Sequence, residues 1–472
     1  MLNETSIIDP NDATAYYNRG KEYYEKKDYD HAIADCSEAI RIDPNHADAY
    51  DNRGLAYYEK EDYDHAIADF SEAIRIDPNY ANAYNNRGCA YYEKKDYDHA
   101  IADYSEAIRI DPNHAKAYNN RGCAYYEKED YDHAIADCSE AIRIDPNHAY
   151  AYNNRGCAYD EKKDYDHAIA DYSEAIRIDP NYAKAYKNRG CAYREKKDYD
   201  HAIADFSEAI RIDPNFTDAY KDRGIAHRHV AYREKKDYDL AIADFSEAIR
   251  IDPNFAVAYS CRGLAYSEKE DYDHAIADYS EAIRIDPNDA DAYVSRGEMY
   301  GKKEDYDLAI ADFNEAIRID PNDAGAYVRR GEAYDEKKDY DHAIADYSEA
   351  IRIDPNYANA YNNRGIAYDK KKDYDHAIAD FSEAIRIDPN FAEAYYNRGI
   401  LYKEKKDYDH AIADFNEAIR IDPNDAATYY NRGIAYENSG DKKLAVADYE
   451  AALNLVPDNT EYKSNLMRLR GY

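Results

Sequence analysis

The sequence predicts an all-α solenoid of stacked helix pairs, and three observations carry that prediction. The fourteen prolines, from Pro10 to Pro457, all occupy one sequence context and define thirteen intervals, twelve of 34 residues and one of 39. A fixed period of this length marks a repeat array, in which each unit buries its apolar face against its neighbours. Every interval carries two stripes with helical spacing, and 472 residues are too many for one ordinary core.

Positions within each unit run from 1 to 34, starting at Ala13, Ala47, Ala81 and so on, so that the proline stands at 32. The first stripe, Tyr84, Gly88 and Tyr91 in the third unit, lies on one face of a helix A. The second, Ala100, Ile101, Tyr104, Ala107 and Ile108, has the i, i+1, i+4, i+7, i+8 pattern of an amphipathic helix B. Helix B is entered through an Asp-Tyr-Asp turn, whose acids suit a helix N-terminus. The Asp-Pro-Asn after it stops helix B and opens the next helix A. Small residues, Gly at 8 and Ala at 20 and 27, allow the two helices to approach closely. The tail from Thr460 carries Tyr462, Leu466 and Leu469 on one face and reads as the capping helix a solenoid needs. The start, SIIDPN, looks like the end of a further unit, which leaves the N-terminal face weakly capped and a candidate surface for self-association.

From residue 13 to 457 the units resemble the tetratricopeptide repeat family: tyrosine at the usual tryptophan place, then Gly, Tyr, Ala, an aromatic, Ala and Pro at the signature positions. The resemblance implies a right-handed superhelix with a concave groove lined by the A helices. It divides the chain into an N-terminal segment (1–12), thirteen units (13–457) with five extra residues near 227–231, and a C-terminal cap (458–472). Two departures stand out. Position 15 is mostly Lys or Glu where the family has Gly, and position 7, usually leucine, is Arg in all thirteen units. A guanidinium bordering a buried stripe needs carboxylates, so Arg87 and its equivalents are expected to bridge to the recurring aspartate at 23 or that at 31.

The places that vary most between units are 2, 5, 9, 12 and 34, and the first four share one face of helix A, the face that lines the groove in the family. Position 6 is Asn in nine units: Asn18, Asn52, Asn86, Asn120, Asn154, Asn188, Asn363, Asn397 and Asn431. An amide both donates and accepts, which suits it to grip the backbone of an extended peptide whatever its sequence. Similar asparagine ladders hold peptide backbone in the tetratricopeptide superhelix of the O-linked N-acetylglucosamine transferases. The alternative is an asparagine that serves as a cap or joins helices. Beside the 39-residue interval, Lys184, Lys187, Arg194 and Lys221 form a basic spot at groove positions, suited to an acidic side chain or a chain-terminal carboxylate. No unit has the Asn at position 9 that the family's carboxylate clamp requires. In the interval itself, IAHRH followed by VAYRE reads as a five-residue duplication, compatible with a hinge, a longer helix or a bulged turn.

The formal charge of -36 argues against nucleic acid and anionic membranes as partners and for neutral or basic proteins. The first twenty residues show no basic stretch followed by an apolar run, and no apolar span, nucleophile elbow or phosphate-binding loop is found in the sequence. The expectation is a cytoplasmic, non-enzymatic scaffold without leader, cofactor or metal. Four cysteines at position 9 (Cys89, Cys123, Cys157, Cys191) and ten histidines at position 19 are read as lining and capping groups rather than metal ligands. Two rival functions remain: a spacer whose near-identical repeats have no client, and a targeting subunit for an enzyme on another chain.

Overall fold

The computed structural model describes residue 9, residues 11–234 and residues 238–471. Among them are 27 α-helices and no strand, in two compact units, Met1–Lys236 and Asp237–Tyr472. The first unit holds six A–B pairs, from Ala13–Glu25 with Tyr29–Ile42 to Ala183–Glu195 with Tyr199–Ile212, and then Thr217–Glu234. The second opens on Asp239–Ile251, continues through six pairs from Ala256–Glu268 with Tyr272–Ile285 to Ala426–Ser439 with Lys442–Leu455, and ends on Thr460–Arg470. In each of the twelve A–B pairs helix A packs on its own helix B, and within a compact unit each helix B packs on the next helix A.

The third repeat shows why these residues form these elements. Helix A (Ala81–Glu93) ends where Lys95 takes φ 60°, a left-handed conformation that glycine adopts without strain and that only the last repeat gives to one, Gly440. Helix B (Tyr97–Ile110) starts at Asp96, whose carboxylate accepts from the amide of His99. His99 Nδ1 lies 2.8 Å from the same carboxylate, and its ring stacks on Tyr91 at 5.1 Å, so the histidine row is part of the capping structure. Ala83, Ala90, Ala100 and Ala107 are wholly buried, as is Tyr104, and a Cβ on Gly88 would stand 2.7 Å from the Tyr104 ring. Glycine is required there by the closeness of helix B.

The arginines find their partners. In twelve repeats, from Arg19 with Asp35 to Arg432 with Asp448, the guanidinium forms a two-bond fork with the aspartate at position 23 of its own repeat. The third nitrogen reaches back, as from Arg87 to the hydroxyl of Ser71 at 3.0 Å, so the fork also ties neighbouring repeats. Arg19, with no described helix before it, is 36% exposed against 20% for Arg87. The aspartate at position 31 serves the turn instead: Asp111 accepts from the amide of Asn113.

The five extra residues continue the helix, giving Thr217–Glu234 eighteen residues where the other A helices of the first unit have thirteen. The final helix caps the stack by burying Tyr462 and Leu466 and by pairing Arg468 with Glu437. Of the SIIDPN stretch only Asp9 and Asn11 lie among the described residues.

Candidate functional site

The position-6 asparagines form a ladder, and its rungs run between repeats. Asn86 donates from Nδ2 to Asp51 (3.0 Å), Asn120 to Asn85 (3.1 Å), Asn154 to Asn119 (3.0 Å) and Asn188 to Asn153 (3.1 Å). Each rung therefore joins position 6 of one repeat to position 5 of the repeat before. The same step recurs in the second unit from Asn397 to Asn362 (3.2 Å) and from Asn431 to the hydroxyl of Tyr396 (3.1 Å), while Asn363 turns to Glu332. Asn18 is exposed, and Asn52 Nδ2 is buried without a hydrogen-bond partner. The carbonyl oxygens of Asn86, Asn120 and Asn154 each take one long contact, 3.4 Å, from the amide beside them in sequence. The amides thus stitch repeats together with their donors and keep most of their accepting capacity on a half-buried face.

Sequence reasoning missed the other side of the rungs. Asn85, Asn119, Asn153 and Asn362 are buried partners, visible in hindsight as the doubled Asn of NNRG. It also missed the last rung: Asn465, one period beyond Asn431, donates to the Tyr430 hydroxyl at 2.6 Å.

At the basic spot the ladder continues as an ion cluster. Asp222 occupies position 6, is 3% exposed, and receives Arg194 at 2.9 Å, Lys187 at 3.5 Å and Lys221 at 3.6 Å. Those three cations surround a buried carboxylate, and Lys184 is exposed beside them.

The thiols at position 9 line the same face. Cys89 and Cys123 lie 3.5 and 3.1 Å from the ladder amides Asn120 and Asn154. Burial pushes the Cys123 and Cys191 thiols up to about 12, which keeps them protonated and unreactive. Among the described residues no group of three His, Cys, Asp or Glu could hold a metal ion, and no helix is long and apolar enough to cross a membrane.

A tyrosine row completes the face in the early repeats. Tyr24, Tyr58, Tyr92 and Tyr126, at position 12, donate to Glu59, Glu93, Glu127 and Glu161 of the following repeat at 3.0–3.4 Å. The last three also meet Tyr63, Tyr97 and Tyr131 edge-on.

The first rung makes a pH prediction. Burial raises the Asp51 carboxyl to about 6, against the lowering effect of the bond from Asn86 and with Asp48 adding to the rise. An acid whose folded value is raised destabilises the fold once ionised, so wild-type stability falls as pH climbs from about 4 through about 6. Asp51→Asn recreates the rung of the next repeats and is expected to add roughly 2 kcal/mol at pH 7. Melting curves of both proteins from pH 4 to 7.5 should converge at the acid end; a constant difference across that range would contradict the assignment.

A helical repeat protein with polar ladders between its units is therefore the class that fold and site define. Models described as "Tetratricopeptide repeat" match residues 13–46, 81–216, 290–323 and 358–459, and one described as "TPR repeat" matches 54–95, 231–269, 263–304 and 333–372. The chain belongs to the tetratricopeptide repeat family. No curated protein matches it in sequence. Among solved structures it is similar to one titled APC/C hetero-tetramer Cut9-Hcn1 (15% identity, 97% of this chain and 96% of that one, TM-score 0.44). It is also similar to yeast Tom70 (17%, 90% and 94%, 0.41) and to MamA (29%, 34% and 94%, 0.33).

Proposed function

We propose that this scaffold binds extended segments of other proteins along the faces lined by its A helices, without catalysis of its own. One observation supports the reading above the rest. The ladder amides present a regular row of half-buried carbonyl acceptors, while position 2 of the same repeats differs each time, as Asn82, Lys116 and Tyr150. A row of acceptors suits the backbone N–H groups of an extended chain, and the varied neighbours supply selection. The charge of -36 favours neutral or basic segments. Because the amide donors also join repeats, the spacer reading has an observation of its own, and the test separates the two.

Changing Asn86, Asn120 and Asn154 together to Ala removes three rungs at ~0.5–1.5 kcal/mol each, so a lower melting temperature is expected on either reading. Affinity capture from cell lysate well below that transition decides between them. A client held by the intact protein and lost from a still-helical variant supports the groove; identical, salt-sensitive capture by both supports the spacer.

A further inference from the structure

The tyrosine row at position 12 is confined to repeats one to four, and from repeat five on other residues stand there. Repeat nine carries Gly301 where repeats one to four carry Tyr24, Tyr58, Tyr92 and Tyr126, and a Cβ built on Gly301 would meet nothing within 4 Å. The space is a cavity of about 580 Å³ on the A-helix face of repeats nine to eleven, lined in part by Gly301, Tyr306, Phe313, Ala333, Asp335 and Glu336.

These walls are the ones that hold a tyrosine elsewhere in the molecule. In the second repeat the Tyr58 ring packs against the cluster of Phe70 and Ala90, lies 5.6 Å edge-on from Tyr63, and donates its hydroxyl to Glu93 at 3.4 Å. The residues at those same positions around Gly301 are Phe313, Ala333, Tyr306 and Glu336. Phe313 and Ala333 are buried in one core cluster, with Tyr306 packed against it. The lining thus keeps the two rings, the alanine and the glutamate of the tyrosine seat, while Glu298 and Glu332 stand where that seat has Leu55 and Cys89. One further feature points to a donor from outside: Asp335 Oδ1 is buried without a hydrogen-bond partner, although its other oxygen takes Lys370 at 2.5 Å.

We propose that the cavity at Gly301 is a pocket for a tyrosine side chain of the client, with the ring against Phe313 and Tyr306 and the hydroxyl donating to Glu336 or to Asp335 Oδ1. The pocket would give the groove a sequence preference that a row of backbone acceptors lacks. As a site on a client segment it rests on the groove reading above, but the pocket is testable without it.

The experiment titrates the full-length protein with N-acetyl-tyrosinamide, N-acetyl-phenylalaninamide and N-acetyl-argininamide, followed by saturation-transfer NMR. In parallel, two otherwise identical Ser/Asn peptides with a central Tyr or Ala are titrated into wild type and Gly301→Tyr. That substitution fills the seat from within, as Tyr58 does, and should leave the fold intact, checked by an unchanged circular dichroism spectrum and melting temperature no lower than wild type. The tyrosinamide is expected to saturate on wild type, to bind at least fivefold more weakly as phenylalaninamide, and to lose its signal on Gly301→Tyr. Tyrosinamide binding that persists on Gly301→Tyr, or a preference for the arginine probe, overturns the pocket. If the tyrosinamide behaves as expected and neither peptide binds, the pocket stands and the groove reading falls. If both peptides bind wild type equally and the tyrosinamide does not saturate, the groove stands and the pocket falls.

Discussion

Replacing Asp103 by alanine is expected to raise hydrogen exchange of the backbone amides in Ala81–Glu93 and Tyr97–Ile110 by about two orders of magnitude, with smaller increases in the adjoining repeats. Arg87 donates from Nε and NH2 to the two oxygens of Asp103 at 2.8 and 2.7 Å and from NH1 to Ser71 at 3.0 Å, and it lies 5.6 Å over the Tyr84 ring. Without the carboxylate, a guanidinium only 20% exposed is left with a hydroxyl and a ring. Breaking a buried pair from one side costs about 3 kcal/mol or more because the remaining charge stays desolvated, and each 1.4 kcal/mol is tenfold in an opening constant. The repeats couple only to their neighbours, so the effect should fade along the array rather than unfold it whole. The double change Arg87→Leu with Asp103→Leu is expected to return exchange to within about tenfold of wild type, since apolar groups of similar volume replace such pairs at little cost. Exchange that Asp103→Ala leaves untouched would show the fork to be ornamental.

That fork was legible in the sequence because both members are constant and lie sixteen residues apart in the twelve repeats of regular length. The ladder was only half legible. Reading by repeat position places equivalent residues 34 apart, whereas the rungs join residues 35 apart, as Asn85 and Asn120 do. Position 5 therefore looked like a variable groove place when in repeats three to five it is a buried partner. The same habit grouped Lys187, Arg194 and Lys221 as a positive spot and set Asp222 aside as a break, although the stagger between helices brings all four together. The five-residue duplication offered three conformations, and the one found follows from its content: IAHRHVAYRE contains no Gly or Pro to stop a helix already under way. Gly301 was hidden for another reason. A small residue at a variable position reads as drift until the walls around it, which resemble those that hold Tyr58, are seen to border a cavity of about 580 Å³.

The contact between Gly88 and Tyr104 predicts a reversal of sign. Tyr104 is 1% exposed, and its position is held by Phe70 and Phe206 in two other repeats of the same unit and by Cys36 and Cys138 in two more, all of them buried. Tyr104→Phe should therefore be nearly neutral, Tyr104→Cys intermediate, and Tyr104→Ala should cost about 3–5 kcal/mol through the cavity it leaves. Gly88→Ala alone should cost about 1–3 kcal/mol, because the new Cβ would sit 2.7 Å from the ring and force it to shift. In the Tyr104→Ala background the ring is gone, the same methyl enters vacated space, and alanine gains up to ~1 kcal/mol over glycine in a helix. There Gly88→Ala should stabilise. A double-mutant cycle followed by hydrogen exchange in Ala81–Glu93 reads the coupling directly, and a value of about 2 kcal/mol or more is expected for groups in such contact. Additive effects would mean that the two helices move apart to accept the methyl, and the approach that the glycine at position 8 permits would then not be what holds each repeat together.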